Sequence, residues 1–90
     1  MKKVFKFKLE SDGWIEIPKG GEILTVNVQD RFEHAWVLFS PEASANEKEK
    51  VQIFIAATGQ EIPLDCRYIN TYFQGPFVWH AFEMGRAPVA

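Results

Sequence analysis

The chain has 90 residues, of which 47% are hydrophobic and 24% charged, with a formal net charge of -2. That length holds one domain, and that composition excludes a disordered chain, a collagen and a coiled coil. The single cysteine, Cys66, excludes an intramolecular disulfide, and the slight negative charge argues against a nucleic-acid polymer as partner, because polyanion binding needs clustered cations.

Apolar residues recur with a period of two along almost the whole chain, the mark of half-buried strands. In Val4–Leu9 the side chains of Phe5, Phe7 and Leu9 share one face and Lys6 and Lys8 the other, as in an edge strand whose lysines face water and discourage edge-to-edge pairing. This alternation of charged and apolar residues is unlike a secretory signal, and no apolar run approaches the roughly 18 residues of a membrane span. Gly13–Ile17 follows, with Ile15 and Ile17 on one face, and Pro18-Lys19-Gly20-Gly21 is a turn signal. Glu22–Gln29 places Leu24, Val26 and Val28 on one face and Thr25, Asn27 and Gln29 on the other. Phe32–Phe39 is apolar on both faces, with His34, Trp36 and Leu38 opposite Ala35, Val37 and Phe39, so it is central or meets another layer.

Pro41–Glu49 is polar and reads as a mobile loop with a short turn. Lys50–Thr58 is the strongest strand, with Val51, Ile53, Ile55 and Ala57 on one side, and Gly59 ends it. Gln60–Cys66 is a connection. Arg67–Phe73 is a strand in which Arg67, Ile69, Thr71 and Phe73 alternate with Tyr68 and Tyr72, and Gln74-Gly75-Pro76 makes a turn. In Phe77–Glu83 the face of Phe77, Trp79 and Ala81 is opposite that of Val78, His80 and Phe82, and residues 84–90 read as a frayed tail. The expectation is an all-β fold, a single β-domain over residues 1–90: a small antiparallel sandwich or barrel of about seven short strands.

Catalytic signatures are missing. His34, His80 and Cys66 are the soft metal ligands and no two are near in sequence, so no metal site is expected. Ser11, Ser40 and Ser44 lie in loops without a nucleophile-elbow motif, and no glycine motif cradles phosphate. A non-catalytic protein without a cofactor is expected.

Three constellations have the chemistry of binding. Thr58-Gly59-Gln60 ends the best strand and offers a hydroxyl and an amide beside a glycine that admits close approach. Trp79 and His80 lie on opposite faces of one strand, so one of them is covered by a loop, a ligand or a second subunit, and Trp36 lies beside His34 in a similar strand. Arg67, alternating with Ile69, Thr71 and Phe73 beside Tyr68 and Tyr72, sets a guanidinium near stackable rings, the chemistry of a negatively charged, base-bearing ligand.

The ordered set of the N-terminal Lys-Val-Phe-Lys-Phe strand, Ile17-Pro18-Lys19-Gly20, Ile23–Gln29, Trp36, Ala57-Thr58-Gly59, Thr71 and Val78-Trp79-His80-Ala81-Phe82 resembles a family of small, mostly phage-encoded proteins known as a domain of unknown function. The resemblance spans roughly residues 2–83. Many such proteins have His after Thr-Gly, where this chain has Gln60. The set is also similar to phage anti-CBASS sponge proteins, which sequester cyclic dinucleotides. That resemblance implies a small, non-enzymatic homo-oligomer in the cytoplasm of the infected bacterial host, with ligand near subunit contacts. The residues expected to hold it are Trp36, Tyr72 and Trp79 by stacking, Arg67 on phosphate with Arg31 in reserve, and Thr58, Gln60, Thr71 and His80 through polar contacts. The alternative is a phage structural or host-protein interaction module that binds through a sheet edge or an aromatic patch.

Overall fold

The computed structural model describes residues 1–89. Alternating apolar and polar residues form seven strands: β1 Lys3–Lys8, β2 Trp14–Pro18, β3 Glu22–Gln29, β4 Phe32–Phe39, β5 Lys48–Ala57, β6 Arg67–Gln74 and β7 Phe77–Pro88. They build two antiparallel sheets, a three-stranded one in the order β1-β4-β3 and a four-stranded one in the order β2-β5-β7-β6. The inner faces pack into one core in which Ile17, Val26, Val37 and Val51 are fully buried. Of the two expected forms, a small antiparallel sandwich or a barrel, the chain forms the sandwich. No helix among the described residues is long and apolar enough to cross a membrane.

β3 and β4 begin and end where the alternation predicts. β4 is the centre of its sheet, which is why it is apolar on both faces. The segment after Ser40 is more ordered than a mobile loop. A single helical turn, α1 Pro41–Ser44, is capped by the Ser40 hydroxyl, which accepts from the Ala43 N–H at 3.2 Å.

Three details depart from the sequence expectation. A bulge between Ile23 and Thr25 turns Leu24 outward, so Ile23 and Val26 enter the core instead of Leu24 and Val26. A second bulge, between Tyr68 and Asn70, puts Tyr68 and Tyr72 on opposite faces of β6. Residues 84–88 are no frayed tail: β7 continues through them and pairs with the first half of β5, from Gln52↔Gly85 to Glu49↔Pro88. Glycine and proline obscured this pairing, and Ala90 of the expected tail lies outside the described residues.

The two flanks of the sandwich differ. On one, β3 runs beside β6 and the Asn70 side chain joins them: its Nδ2 donates to the Val26 carbonyl at 2.9 Å and its Oδ1 accepts from the Val26 N–H at 2.8 Å. On the other, β1 and β2 part into different sheets from the turn at Glu10–Gly13, where Glu10 N–H donates to the Trp14 carbonyl at 3.1 Å. Gly13, at φ +87°, makes that turn, and a Cβ there would collide with the Ile53 carbonyl oxygen.

Candidate ligand-binding faces

Each sheet turns one face to solvent, and the two faces carry different chemistry. On the four-stranded sheet, alternation sends Phe54 and Ala56 of β5 outward, and Thr58 just beyond it, with Val78, His80 and Phe82 of β7 and Tyr68, Thr71 and Phe73 of β6. None of these nine positions is charged. Cross-strand pairing sets Thr71 opposite His80, and a row of polar groups follows. His80 Nε2 is hydrogen-bonded to the Thr58 hydroxyl at 2.8 Å and Nδ1 to the Thr71 hydroxyl at 3.0 Å, and Thr71 in turn bonds the Tyr68 hydroxyl at 2.8 Å. Aromatic groups flank the row: the Tyr68 and Phe82 rings meet edge to face at 5.7 Å, and Phe73 is 74% exposed. Of the residues expected to hold a ligand, the structure brings Thr58, Thr71 and His80 together, and Tyr68 joins them.

The other expected ligand residues are elsewhere. Tyr72 is 3% exposed and faces the core, where burial first and the Glu33 charge second push its phenol up to about 12. It offers no ring to a ligand. Trp79 packs against the core, stacks on Phe77 at 5.8 Å and donates its indole N–H to Gln74 Oε1 at 3.1 Å. Gln60 closes the turn after β5, its Oε1 accepting from the Ala57 N–H at 3.1 Å. Trp36 belongs to the other sheet.

Arg67 does not stand free beside a ring. It begins a chain of alternating charges along the inner side of the four-stranded sheet. Arg67 Nη2 donates to Glu83 Oε1 at 3.0 Å, Arg86 Nε donates to Glu83 Oε2 at 2.9 Å, and Arg86 Nη1 donates to Glu49 Oε1 at 2.9 Å. The Gly20 N–H donates to the same Glu49 oxygen at 2.9 Å. Burial pushes the Glu83 carboxyl up, but Arg86 and Arg67 outweigh it and hold the group below its ordinary range. The Gly20 N–H and then Arg86 hold Glu49 low in spite of burial, and Glu83 first and Glu49 second raise Arg86. Arg67 is thus neutralised by a partner that lies 16 positions away in sequence.

The outer face of the three-stranded sheet combines cations and rings. Pairing of β1 with β4 places Lys6 opposite Trp36 and Lys8 opposite His34. Lys6 Nζ reaches across β4 to donate to Gln29 Oε1 at 2.6 Å, and Lys8 Nζ sits 3.8 Å from the centre of the Phe32 ring. His34 and Trp36 rings are 6.1 Å apart, and His34 Nδ1–H donates to the Phe32 carbonyl at 2.8 Å, which leaves Nε2 as the acceptor of the neutral ring. Among the described residues neither Lys6 nor Lys8 forms an ion pair, in contrast to Arg67, Arg86 and Lys19. These lysines form the wet face of an edge strand, as their alternation with Phe5 and Phe7 predicts. That they flank Trp36 is not legible in the sequence, because β1 and β4 are some thirty positions apart and no local pattern reports their pairing.

Clefts lie along the parted β1–β2 flank. One of about 640 Å³ is lined by Phe7, Lys8, Trp14 and Lys50 together with the carboxylates Glu10, Asp12 and Glu16, a balance that disfavours an anion. A second of about 400 Å³ shares Phe7 and Glu16 with it and is walled by Phe5, Phe39, Pro18 and Pro41. Among the described residues no three His, Cys, Asp or Glu side chains gather as a metal site.

The model of a family described as a domain of unknown function (DUF7352) matches residues 1–89. The chain belongs to this family. No curated protein and no solved structure matches it. This DUF7352 chain therefore offers its two outer faces as the guide to function.

Proposed function

We propose that this DUF7352 chain is a non-catalytic binding protein that holds a small, base-bearing phosphate ligand on the outer face of its three-stranded sheet. One observation carries the reading: Lys6 and Lys8, unneutralised by carboxylates, flank the Trp36 and Phe32 rings. Rings stack on bases, each stack contributing about 1–3 kcal/mol, and ammonium groups attract phosphate. Asn27 and Gln29, outward on the neighbouring strand β3, offer amides to base edges. A local pair of lysines serves a small ligand even in a mildly acidic protein, whereas a long polyanion would need many more. The specific form of this reading is sequestration of a cyclic dinucleotide signal by a phage protein in the host cytoplasm. Such a ligand has two flat bases and two phosphates and needs no nucleophile to be held.

A thermal-shift and calorimetric series with cyclic dinucleotides tests the proposal. Ligand at a hundred times its Kd should stabilise the chain by about 2.7 kcal/mol. The double variant Lys6→Ala/Lys8→Ala should bind at least tenfold more weakly while melting as the wild type does. The absence of any shift, or equal affinity in the double variant, overturns it. A second reading, a protein-interaction module, is favoured by the apolar cleft of Phe5, Phe39, Pro18 and Pro41 between two strand edges that have no partner on that side. Binding of an extended peptide there, with no response to nucleotides, would establish it in place of the first.

A further inference from the structure

We infer that the outer face of the three-stranded sheet selects a guanine-bearing nucleotide over an adenine-bearing one, an assignment that rests on the ligand reading of that face and names the base it takes.

The strand register sets the polar groups of the face out as a grid. Lys8, His34 and Asn27 form one line across the sheet, and Lys6, Trp36 and Thr25 form the next. Gln29 stands opposite Phe32 at the end of the hairpin. His34 is therefore at the centre, with the Trp36 and Phe32 rings two positions away on either side along β4. Same-face neighbours along a strand are about 7 Å apart, so a base stacked on either ring has an edge within reach of His34 and the groups beside it.

Both amides turn their donors outward. Asn27 Oδ1 accepts from the Val28 N–H at 2.7 Å, and Gln29 Oε1 accepts from Lys6 Nζ at 2.6 Å. Each orientation is forced, because a backbone N–H and an ammonium only donate. What each amide offers a ligand is its NH2. The two ammonium groups and the Trp36 indole N–H are donors as well, and the Thr25 hydroxyl does both.

Against these donors the grid has one side-chain group that only accepts. His34 Nδ1–H is committed to the Phe32 carbonyl at 2.8 Å, and Nε2 of the neutral ring keeps its lone pair. His34 is 8% exposed, yet among the described residues no enclosed side-chain nitrogen or oxygen lacks a partner, so Nε2 opens to the surface.

Guanine matches this set. Its O6 and N7 are adjacent acceptors that suit paired donors, and its N1–H suits the single acceptor. Adenine presents an amino group beside a ring-nitrogen acceptor, and Asn or Gln reads that pair with its oxygen and its NH2 together. Neither amide here has both to give. Uracil also has an N–H between acceptors, but it lacks the adjacent acceptor pair and offers Trp36 a smaller ring.

Titration calorimetry of the full chain with cyclic di-GMP, cyclic di-AMP and cyclic di-UMP is the experiment. Cyclic di-GMP should bind roughly tenfold more tightly than either of the others, the discrimination that one good base-edge contact gives. Asn27→Asp tests the cause. It keeps an oxygen for the Val28 N–H and replaces the outward NH2 by a second oxygen, at an exposed position, so the fold should persist, as circular dichroism would verify. The added charge repels all three ligands alike, so the readout is the ratio of guanine to adenine affinity, which should fall by about tenfold. Equal affinity for the three, a preference for cyclic di-AMP or cyclic di-UMP, or a ratio unchanged in Asn27→Asp overturns the base assignment and leaves the ligand reading standing. Binding of none of the three removes the ligand reading and the base assignment with it.

Discussion

The two flanks of the sandwich meet the same problem in different ways. An edge strand exposes N–H and C=O groups that must find partners or water. Where β3 passes β6, one side chain supplies both partners: Asn70 presents an amide to Val26 much as another strand would. Where β1 leaves β2, nothing closes the gap, and lysines on β1 and the Pro18 end of the short β2 guard the edges instead. The closed flank therefore holds the two sheets together, and the open flank leaves clefts. Stability and accessibility are assigned to opposite sides of a small molecule whose thin margin does not allow both on one side.

Three substitutions would break or sharpen that contrast. Asn70→Leu should have the largest effect. It keeps the volume but strands the N–H and the C=O of Val26, and the loss should be about 3 kcal/mol in urea unfolding. A loss below about 0.5 kcal/mol, the noise level of ordinary surface changes, would show that the flank is held by apolar packing alone.

Glu83→Gln should come next, because Glu83 joins the guanidinium groups of Arg67 and Arg86 on the same sheet. At pH 7 the cost should be about 1–2 kcal/mol, given that the Arg67 side of the chain is exposed and screened by solvent. The sign with pH follows from the lowered carboxyl. A depressed folded-state pKa stabilises the protein above the unfolded value near 4.5, and the contribution is lost as pH falls through the lower folded value. Wild type and variant should therefore converge in stability below pH 4.5 and differ at pH 7, and a gap independent of pH would remove the ion chain as its cause.

Phe5→Ala, on the open flank, should be the mildest. Phe5 is 51% exposed and touches Phe39 edge to face at 5.3 Å, so its loss should cost less than about 1 kcal/mol, against about 3–5 for a fully buried phenylalanine. A cost as large as that of Asn70→Leu would mean that the open flank also carries stability, and the contrast between flanks would fall.

Much of the fold was legible from alternation. Val51, Ile53, Ile55 and Ala57 share the inner face of β5 as their spacing predicts, and Trp79 and His80 do lie on opposite faces of β7. Bulges mark the limit of that reading. One extra residue reverses the face of everything beyond it, so strict alternation puts Leu24 in a core it does not enter and Tyr72 beside Tyr68. Of the expected ligand residues, Thr71 and His80 meet because the pairing of adjacent hairpin strands β6 and β7 is nearly a local property, whereas Thr58 joins them only through the pairing of β5 with β7. Arg67 and Trp36 could not be placed, because their surroundings come from Glu83 and from Lys6 on other strands.

What the sequence by itself determined was the period of two, hence strands, an all-β core and lysines along one edge. Those features depend on neighbours one or two residues away, and burial of apolar area rewards them wherever the strand lies. Only the tertiary structure decided which arginine is neutralised, which lysines stay free beside rings, and which end of the other outer face is left without charge. Charges act over several ångströms through space, so their partners are set by strand order and register, and neither is written in any single stretch of the chain.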